Sequence, residues 1–78
     1  MDVEEFPQRL REAREARGMS QQMLASAAHL ATRTVAGLES GQYKGNARTI
    51  TRLCEILQIA PTWLLMGEGE RDLFREEP

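Results

Sequence analysis

Apolar residues recur at intervals of three and four along most of this 78-residue chain, a spacing that is typical of amphipathic helices. The pattern is clearest in residues 20–41, where it predicts one helix from about Gln21 to Ala28 and another from about Thr32 to Ser40. The turn around His29 is too short to be a linker, so the two helices must pack against each other. Six apolar residues lie on the sides that meet: Leu24, Ala25, Ala28, Leu30, Val35 and Leu38.

Three more helices are predicted around this pair. The stretch from Pro7 to Arg17 is rich in helix formers, and Gly18 supplies a stop. Asn46 is a good N-cap for a fourth helix. The apolar face of that helix consists of Ile50, Leu53, Cys54 and Leu57. A proline suits the first turn of a short fifth helix, Pro61 to Met66, which Gly67 ends, and helices of this length leave no room for a sheet.

The pair of helices in residues 20–41 needs particular residues at its caps and turn. Ser20 is a good N-cap for the second helix. A turn this tight needs one residue with positive φ, and histidine is among the non-glycine residues that tolerate it, so His29 is expected to take that conformation. Ala31 is a poor N-cap for the third helix, and the alternative is that Thr32 caps it and the helix begins one residue later.

The formal net charge of −2 argues at first against a nucleic-acid partner. The acids are concentrated at the ends, however: residues 1–5 form an acidic extension, and residues 68–78 form a charged tail or the start of a linker. Residues 6–67 carry eight Lys and Arg against four Asp and Glu, so this body has a net charge of +4. The alternative for the tail is a short helix that docks Leu73 and Phe74 on a neighbouring surface.

A family resemblance rests on residues spread over 6–67. They are Arg9, Leu10, Arg14, Gly18, Met19, Ser20, Gln21, Leu24, Ala25, Val35, Leu38, Glu39, Gly41, Ile50, Leu53, Leu57, Trp63, Leu64 and Leu65. Together they resemble the phage repressor and Cro helix-turn-helix family, also called the XRE family. The resemblance implies an all-α fold, a compact five-helix lambda-repressor-like DNA-binding domain with the helix-turn-helix at helices 2 and 3. It also implies a transcriptional repressor that binds a two-fold operator in double-stranded DNA as a homodimer, with helix 3 in the major groove.

The resemblance assigns roles to individual residues. The residues expected to face base edges are Thr32, Arg33, Ala36 and Gly37. Of these, only Arg33 can make a bidentate contact, for which guanine O6 and N7 are the matching acceptors. The residues expected to contact phosphates are Gln21, Gln42, Tyr43, Lys44, Asn46 and Arg48. The candidates for a dimer interface are Ile59, Pro61, Thr62 and Met66. A structural ion pair is implied between Arg14 and Glu39.

Five positions depart from the family pattern. His29 replaces the usual turn glycine, Ala31 replaces the usual Ser or Thr cap, and Gly45 stands where proline is common. Ala36 and Gly37 are small where long polar side chains are usual, which weakens the expected reading of sequence. The alternative function is therefore a protein-interaction module on the same scaffold, antitoxin-type or a co-regulator, with weak DNA binding. A basic surface over helix 3 would favour DNA, and an acidic or apolar one a protein.

The sequence lacks the residue combinations that catalysis needs. One His, one Cys and no Gly-rich phosphate loop provide no activated nucleophile, metal set or nucleotide cradle, so we expect neither an enzyme nor a cofactor, metal or small-molecule ligand. Cys54 fits the apolar pattern of the fourth helix and is expected to be a packing residue. No apolar run is long enough to cross a bilayer, and the acidic N-terminus does not fit a signal peptide. We therefore expect a cytoplasmic protein with no membrane partner.

Overall fold

Five helices run through residues 5–73, the part of the chain that the computed structural model describes. They are α1 (Phe6–Ala16), α2 (Gln21–Ala27), α3 (Thr32–Ser40), α4 (Ala47–Leu57) and α5 (Pro61–Met66). The all-α, five-helix architecture predicted from the sequence is confirmed. The bounds of α3 and α5 are those predicted, α1 begins and ends one residue earlier than predicted, and α2 ends one residue earlier.

Side chains cap two of the helices as their sequences predict. Ser20 accepts a hydrogen bond from the third backbone N–H of α2 at 3.0 Å, and Asn46 does the same for α4 at 2.9 Å. Helix α3 begins differently, because its N-cap is Ala31 and no side chain caps it. Thr32 is thus the first helical residue, and the alternative in which it caps a shorter helix is wrong. The first turn of α3 has backbone N–H groups that no capping side chain satisfies.

The α2–α3 turn takes its shape from His29, whose φ of 58° lies in the left-handed region. This conformation, which the tight turn predicted, is uncommon for a residue with a Cβ atom. A second such residue, Gln58 with a φ of 59°, ends α4 and was not predicted. Because both residues link consecutive helices, each fixes the direction in which the next helix leaves.

One core lies between the helices, and α3 contributes to it from a central position. Helix α3 packs on both α2 and α1, while α1 also packs on α5. The largest fully buried side chains are Leu10, Leu24, Val35, Leu38, Leu53, Leu57, Ile59 and Leu64. Cys54 is buried with them, as its position in the apolar pattern predicted, and this burial raises the pKa of its thiol to about 11.

The segment after α5 folds back on the helical body. An isolated antiparallel bridge joins Ile59 and Asp72, with Ala60 N–H donating to the carbonyl of Arg71 at 2.8 Å. Leu73 N–H donates to the carbonyl of Gln58 at 3.0 Å. The sequence predicted a tail or linker from residue 68, with a short helix that docks Leu73 and Phe74 as the alternative. Residues 71–73 instead attach through backbone hydrogen bonds without forming a helix, and Leu73 is 53% exposed. The predicted docking of Phe74, and the N-terminal extension apart from Glu5, lie outside the described residues.

The described helices are all short. No helix between residues 5 and 73 has the length and hydropathy needed to span a bilayer. The longest, α1 and α4, have 11 residues each, which corresponds to about 16 Å at 1.5 Å per residue.

Candidate nucleic-acid interface

Helix α3 has one side in the core and one side facing outward. Val35 and Leu38 are fully buried, whereas Thr32 and Arg33 are exposed and Ala36 is half-buried. This division follows from the 3.6-residue period of the helix, because Thr32, Arg33 and Ala36 lie on the side opposite to Val35 and Leu38. The structure therefore places three of the four residues expected to face base edges on one outward surface.

Arg33 has the longest side chain on this outward face. Within residues 5–73 no hydrogen bond or ion pair engages its guanidinium group. A guanidinium carries five N–H donors in a rigid fork, and these donors match a pair of acceptors side by side. Arg33 is thus available for bidentate contact with an external acceptor, and its position in the first turn of α3 presents it at the end of the helix nearest the α2–α3 turn.

A buried ion pair connects α3 to α1. The Nε and Nη2 atoms of Arg14 donate to the two carboxylate oxygens of Glu39 at 2.6 and 3.0 Å. The side chains are only 10% and 4% exposed, so both groups depend on each other for solvation. The hydrogen bond to Glu39 raises the pKa of Arg14. This is the ion pair between helices 1 and 3 that the family resemblance implied.

Two further hydrogen bonds extend the ion pair to the start of α2. The Nη1 atom of Arg14 donates to the carbonyl of Met19 at 2.7 Å, and the side-chain amide of Gln21 donates to Glu39 at 3.1 Å. Gln21 was expected to contact phosphate, and the structure instead points its amide N–H inward to the carboxylate. Gln21 therefore helps to fix α2 relative to α3, and any phosphate contact from it remains a prediction.

Gly37 lies on the outward half of α3 and yet is buried, because the ring of Tyr43 covers it. A Cβ atom built at this glycine would overlap the ring carbons of Tyr43. The expectation that Gly37 faces a base edge is corrected by this arrangement, since an aromatic ring occupies the space next to it. Tyr43 itself is 46% exposed, so the ring covers the glycine and still reaches solvent.

The loop after α3 and the first turn of α4 form a polar surface beside it. The residues there that were expected to contact phosphates, Gln42, Lys44, Asn46 and Arg48, are all exposed. The sequence between residues 40 and 54 contains no Asp or Glu. Glu39, the one acid between residues 32 and 48, is neutralised by Arg14. This surface therefore carries basic and neutral polar groups without an unpaired carboxylate.

Three arginines have structural roles that the sequence reasoning missed. Arg9 donates to the carbonyls of Leu64 and Leu65 at 2.8 and 2.9 Å, at the C-terminal end of α5. Arg17 donates to the last carbonyl of α4 at 2.9 Å, and Arg52 donates to the carbonyl after α2 at 3.1 Å. The last carbonyls of a helix lack intrahelical partners, so hydrogen-bond donors are expected near every helix C-terminus. The sequence does not tell which arginines will supply them.

The dimer candidates are divided between surface and core. Pro61 and Thr62 are exposed and Met66 is half-buried, so these three can reach a partner. Ile59 cannot, because its side chain is only 1% exposed and packs in the core of its own chain. The assignment of Ile59 to a dimer patch is therefore wrong. The side chain of Ile59 is part of the core, and its backbone forms the bridge with Asp72.

The fold and the outward face of α3 together define a DNA-binding helix-turn-helix domain. The chain belongs to the helix-turn-helix domain family, whose model matches residues 8–70. Among solved structures, the chain is similar to the restriction-modification controller protein C.AhdI from Aeromonas hydrophila, with 41% sequence identity and a TM-score of 0.75. The match covers 81% of this chain and 96% of that protein. No curated protein matches the chain significantly.

Proposed function

We propose that this protein is a sequence-specific transcriptional repressor that inserts α3 into the major groove of double-stranded DNA. The observation that carries the proposal is the exposed guanidinium of Arg33, which has no partner in residues 5–73 and projects from a helix held by buried contacts. A major groove about 12 Å wide admits such a helix. A binding function of this kind requires no catalytic group, cofactor or metal.

Arg33 is proposed to supply the main sequence preference. Guanine presents O6 and N7 side by side in the major groove, and a bidentate arginine contact there is worth about 1–3 kcal/mol of discrimination. Thr32 is next to it and can contact a thymine methyl group or a phosphate. The half-buried Ala36 can offer only a methyl contact.

The polar surface beside α3 is proposed to hold the DNA backbone. Lys44 and Arg48 supply charge, while Gln42 and Asn46 supply neutral donors. Backbone contacts of this kind fix the register of a protein on the duplex without reading its sequence. Because this surface is basic and polar, it favours DNA over the alternative of a protein partner.

The similarity to a restriction-modification controller supports the regulatory part of the proposal. Most of this chain aligns with almost the whole of that protein, so the similarity is not limited to the helix-turn-helix itself. We propose that this protein controls transcription by occupying a two-fold operator and thereby blocking its use.

A two-fold operator requires two copies of the domain. Pro61, Thr62 and Met66 are proposed to form a self-complementary patch, because a two-fold interface brings the same surface of each subunit together. Half-sites should then lie about 34–36 Å apart, one turn of the DNA helix. Sedimentation of the protein alone and with DNA will give the number of copies in each state.

Selection of bound sequences from a pool of random duplexes tests the whole proposal. We expect a two-fold consensus with guanine in each half-site, bound in a salt-dependent manner, and reduced reporter transcription when the site overlaps a promoter. Enrichment of no sequence over any other, with binding to a protein partner through the same surface, would instead establish the interaction-module alternative.

A further inference from the structure

We propose that Tyr43 reads base edges from the outward face of α3, in the space that the absent side chain of Gly37 leaves for its ring. This inference rests on the proposed function, since it adds a second reading residue to the interface with Arg33. It also changes the role expected for Tyr43, for which the family resemblance implied a phosphate contact.

Helix geometry places the ring next to Arg33. Residues four apart lie on the same face of a helix one turn along, so the position of Gly37 lies directly above Arg33. A residue at this position would normally be exposed, yet Gly37 is buried beneath Tyr43. The phenol ring therefore occupies the place on the α3 surface where a side chain of residue 37 would lie.

Two hydrogen bonds to the carbonyl of Gly37 hold the loop in this place. Tyr43 N–H donates to the carbonyl of Gly37 at 3.1 Å, and the hydroxyl of Ser40 donates to the same carbonyl at 3.1 Å. The loop is thereby closed onto the helix with the aromatic residue directly over the glycine. An ordered side chain loses little conformational entropy when it binds, which favours its use for recognition.

The exposed part of Tyr43 has the chemistry that base reading requires. Tyr43 is 46% exposed although its ring covers Gly37, so part of the residue remains accessible to a partner. No intramolecular hydrogen bond engages its hydroxyl within the described part of the chain. A phenol hydroxyl both donates and accepts hydrogen bonds, and it can therefore address either kind of group on a base edge.

The distance along the helix gives the expected register. Four residues correspond to about 6 Å at 1.5 Å per residue, and base pairs are spaced about 3.4 Å apart. If α3 lies along the groove, Tyr43 contacts a base pair one or two steps from the guanine that Arg33 contacts. The proposal therefore predicts an effect at defined positions of the operator.

Binding to a set of operators, each with one base pair changed, tests the assignment. For Tyr43→Ala we expect discrimination to fall about tenfold at one or two base pairs beside the Arg33 guanine, the scale of a single lost base contact. Tyr43→Phe keeps the ring on Gly37, and we expect the same positions to be affected. Lys44→Ala is the control from the same loop, and it should weaken binding to every operator alike.

Gly37→Ala tests the positioning by the glycine. The added methyl group overlaps the ring, so the ring must move, and discrimination should be lost at the same base pairs as in Tyr43→Ala. In the Tyr43→Ala background the same change meets no ring and should have no further effect on binding. Circular dichroism and thermal melting will establish that each variant is folded.

The outcomes separate this inference from the proposed function. Loss at specific base pairs in Tyr43→Ala supports it, and retention in Tyr43→Phe would assign the reading to the ring edge. If folded Tyr43→Ala weakens all operators equally, Tyr43 contacts only the backbone and the inference is wrong, although the repressor function stands. If the unmodified protein prefers no duplex, the proposed function itself fails.

Discussion

The arginines of this protein fall into two regions with opposite roles. Arg9 and Arg14 on α1, and Arg17 directly after it, donate to carbonyls or to Glu39 inside the molecule, whereas Arg33 on α3 has no partner in residues 5–73. All four carry the same charge and count equally toward the net charge of the body. The comparison shows that net charge alone does not measure how many groups a domain can offer to DNA.

The two regions are nevertheless connected. Arg9 and Arg17 donate to carbonyls at the C-terminal ends of α5 and α4, which lack intrahelical partners. Through Glu39, Arg14 also fixes the helix from which Arg33 projects. Arg14 thus helps to determine the position of Arg33. Replacement by alanine should therefore affect stability at Arg14 and DNA binding at Arg33.

Truncation of the buried ion pair should produce the largest effect. For Arg14→Ala or Glu39→Ala we expect a loss of about 3–5 kcal/mol in the free energy of unfolding, because each leaves a buried charge without its partner. Urea unfolding measures this loss. Arg11→Ala is the matched control, since Arg11 and its partner Glu15 are 64% and 62% exposed and such pairs contribute about 0–1 kcal/mol.

A double-mutant cycle distinguishes the pair from its surroundings. If the two single losses simply add in the double variant, Arg14 and Glu39 do not depend on each other and the structural role assigned to them is incorrect. A double variant that loses much less than the sum of the two demonstrates their coupling.

Truncation of the outward arginine should leave the fold unchanged. For Arg33→Ala we expect unfolding free energy within about 0.5 kcal/mol of the parent, the usual range for surface changes. Operator binding should lose about 1–3 kcal/mol of preference for the guanine in each half-site. Titrations with the selected operator and with a guanine-substituted one measure this preference. Equal weakening on both duplexes would assign Arg33 to the phosphate backbone.

The sequence predicted the fold better than it predicted the surface. Helix bounds followed from the apolar period and from local signals such as Ser20, Asn46 and the His29 turn, which act within a few residues of the chain. Ala31 is the exception, because α3 begins there without a side-chain cap. Helix α3 packs on α1 and α2, and such tertiary packing stabilises a helix even where this local signal is absent.

The candidate site was harder to predict because its details depend on residues distant in sequence or on loop geometry. The sequence places Gly37 on the outward side of α3 but gives no sign that the Tyr43 ring covers it, and it gives no sign that Ile59 is buried in the core. Likewise, periodicity gives no signal that Arg9 lies on the carbonyls of Leu64 and Leu65, 55 and 56 residues away. Such contacts require the tertiary structure.

Neutralisation of the basic loop tests how much of the outward surface contacts phosphate. In the double variant Lys44→Gln/Arg48→Gln, we expect the slope of log affinity against log salt to become shallower by about two, one counterion for each lost contact. Binding titrations over a range of salt concentrations give the slope. Arg11→Gln on α1 removes an exposed charge outside this surface and should leave it unaltered. If the double variant has the same slope as the parent, neither Lys44 nor Arg48 contacts a DNA phosphate.

The smallest effect is expected where an inward arginine meets the C-terminal segment. A hydrogen bond from Arg71 lowers the pKa of Asp72, and Arg17, 4.0 Å away, contributes to the same shift. Because the folded state favours the ionised carboxylate, its stabilising effect is present above the usual aspartate pKa of about 3.9 and is lost as the pH falls through the lowered folded value. The melting temperature of Asp72→Asn should therefore lie slightly below that of the parent at pH 7, and the difference should vanish in strong acid. A difference that stays constant with pH would mean that the charge of Asp72 does not hold this segment.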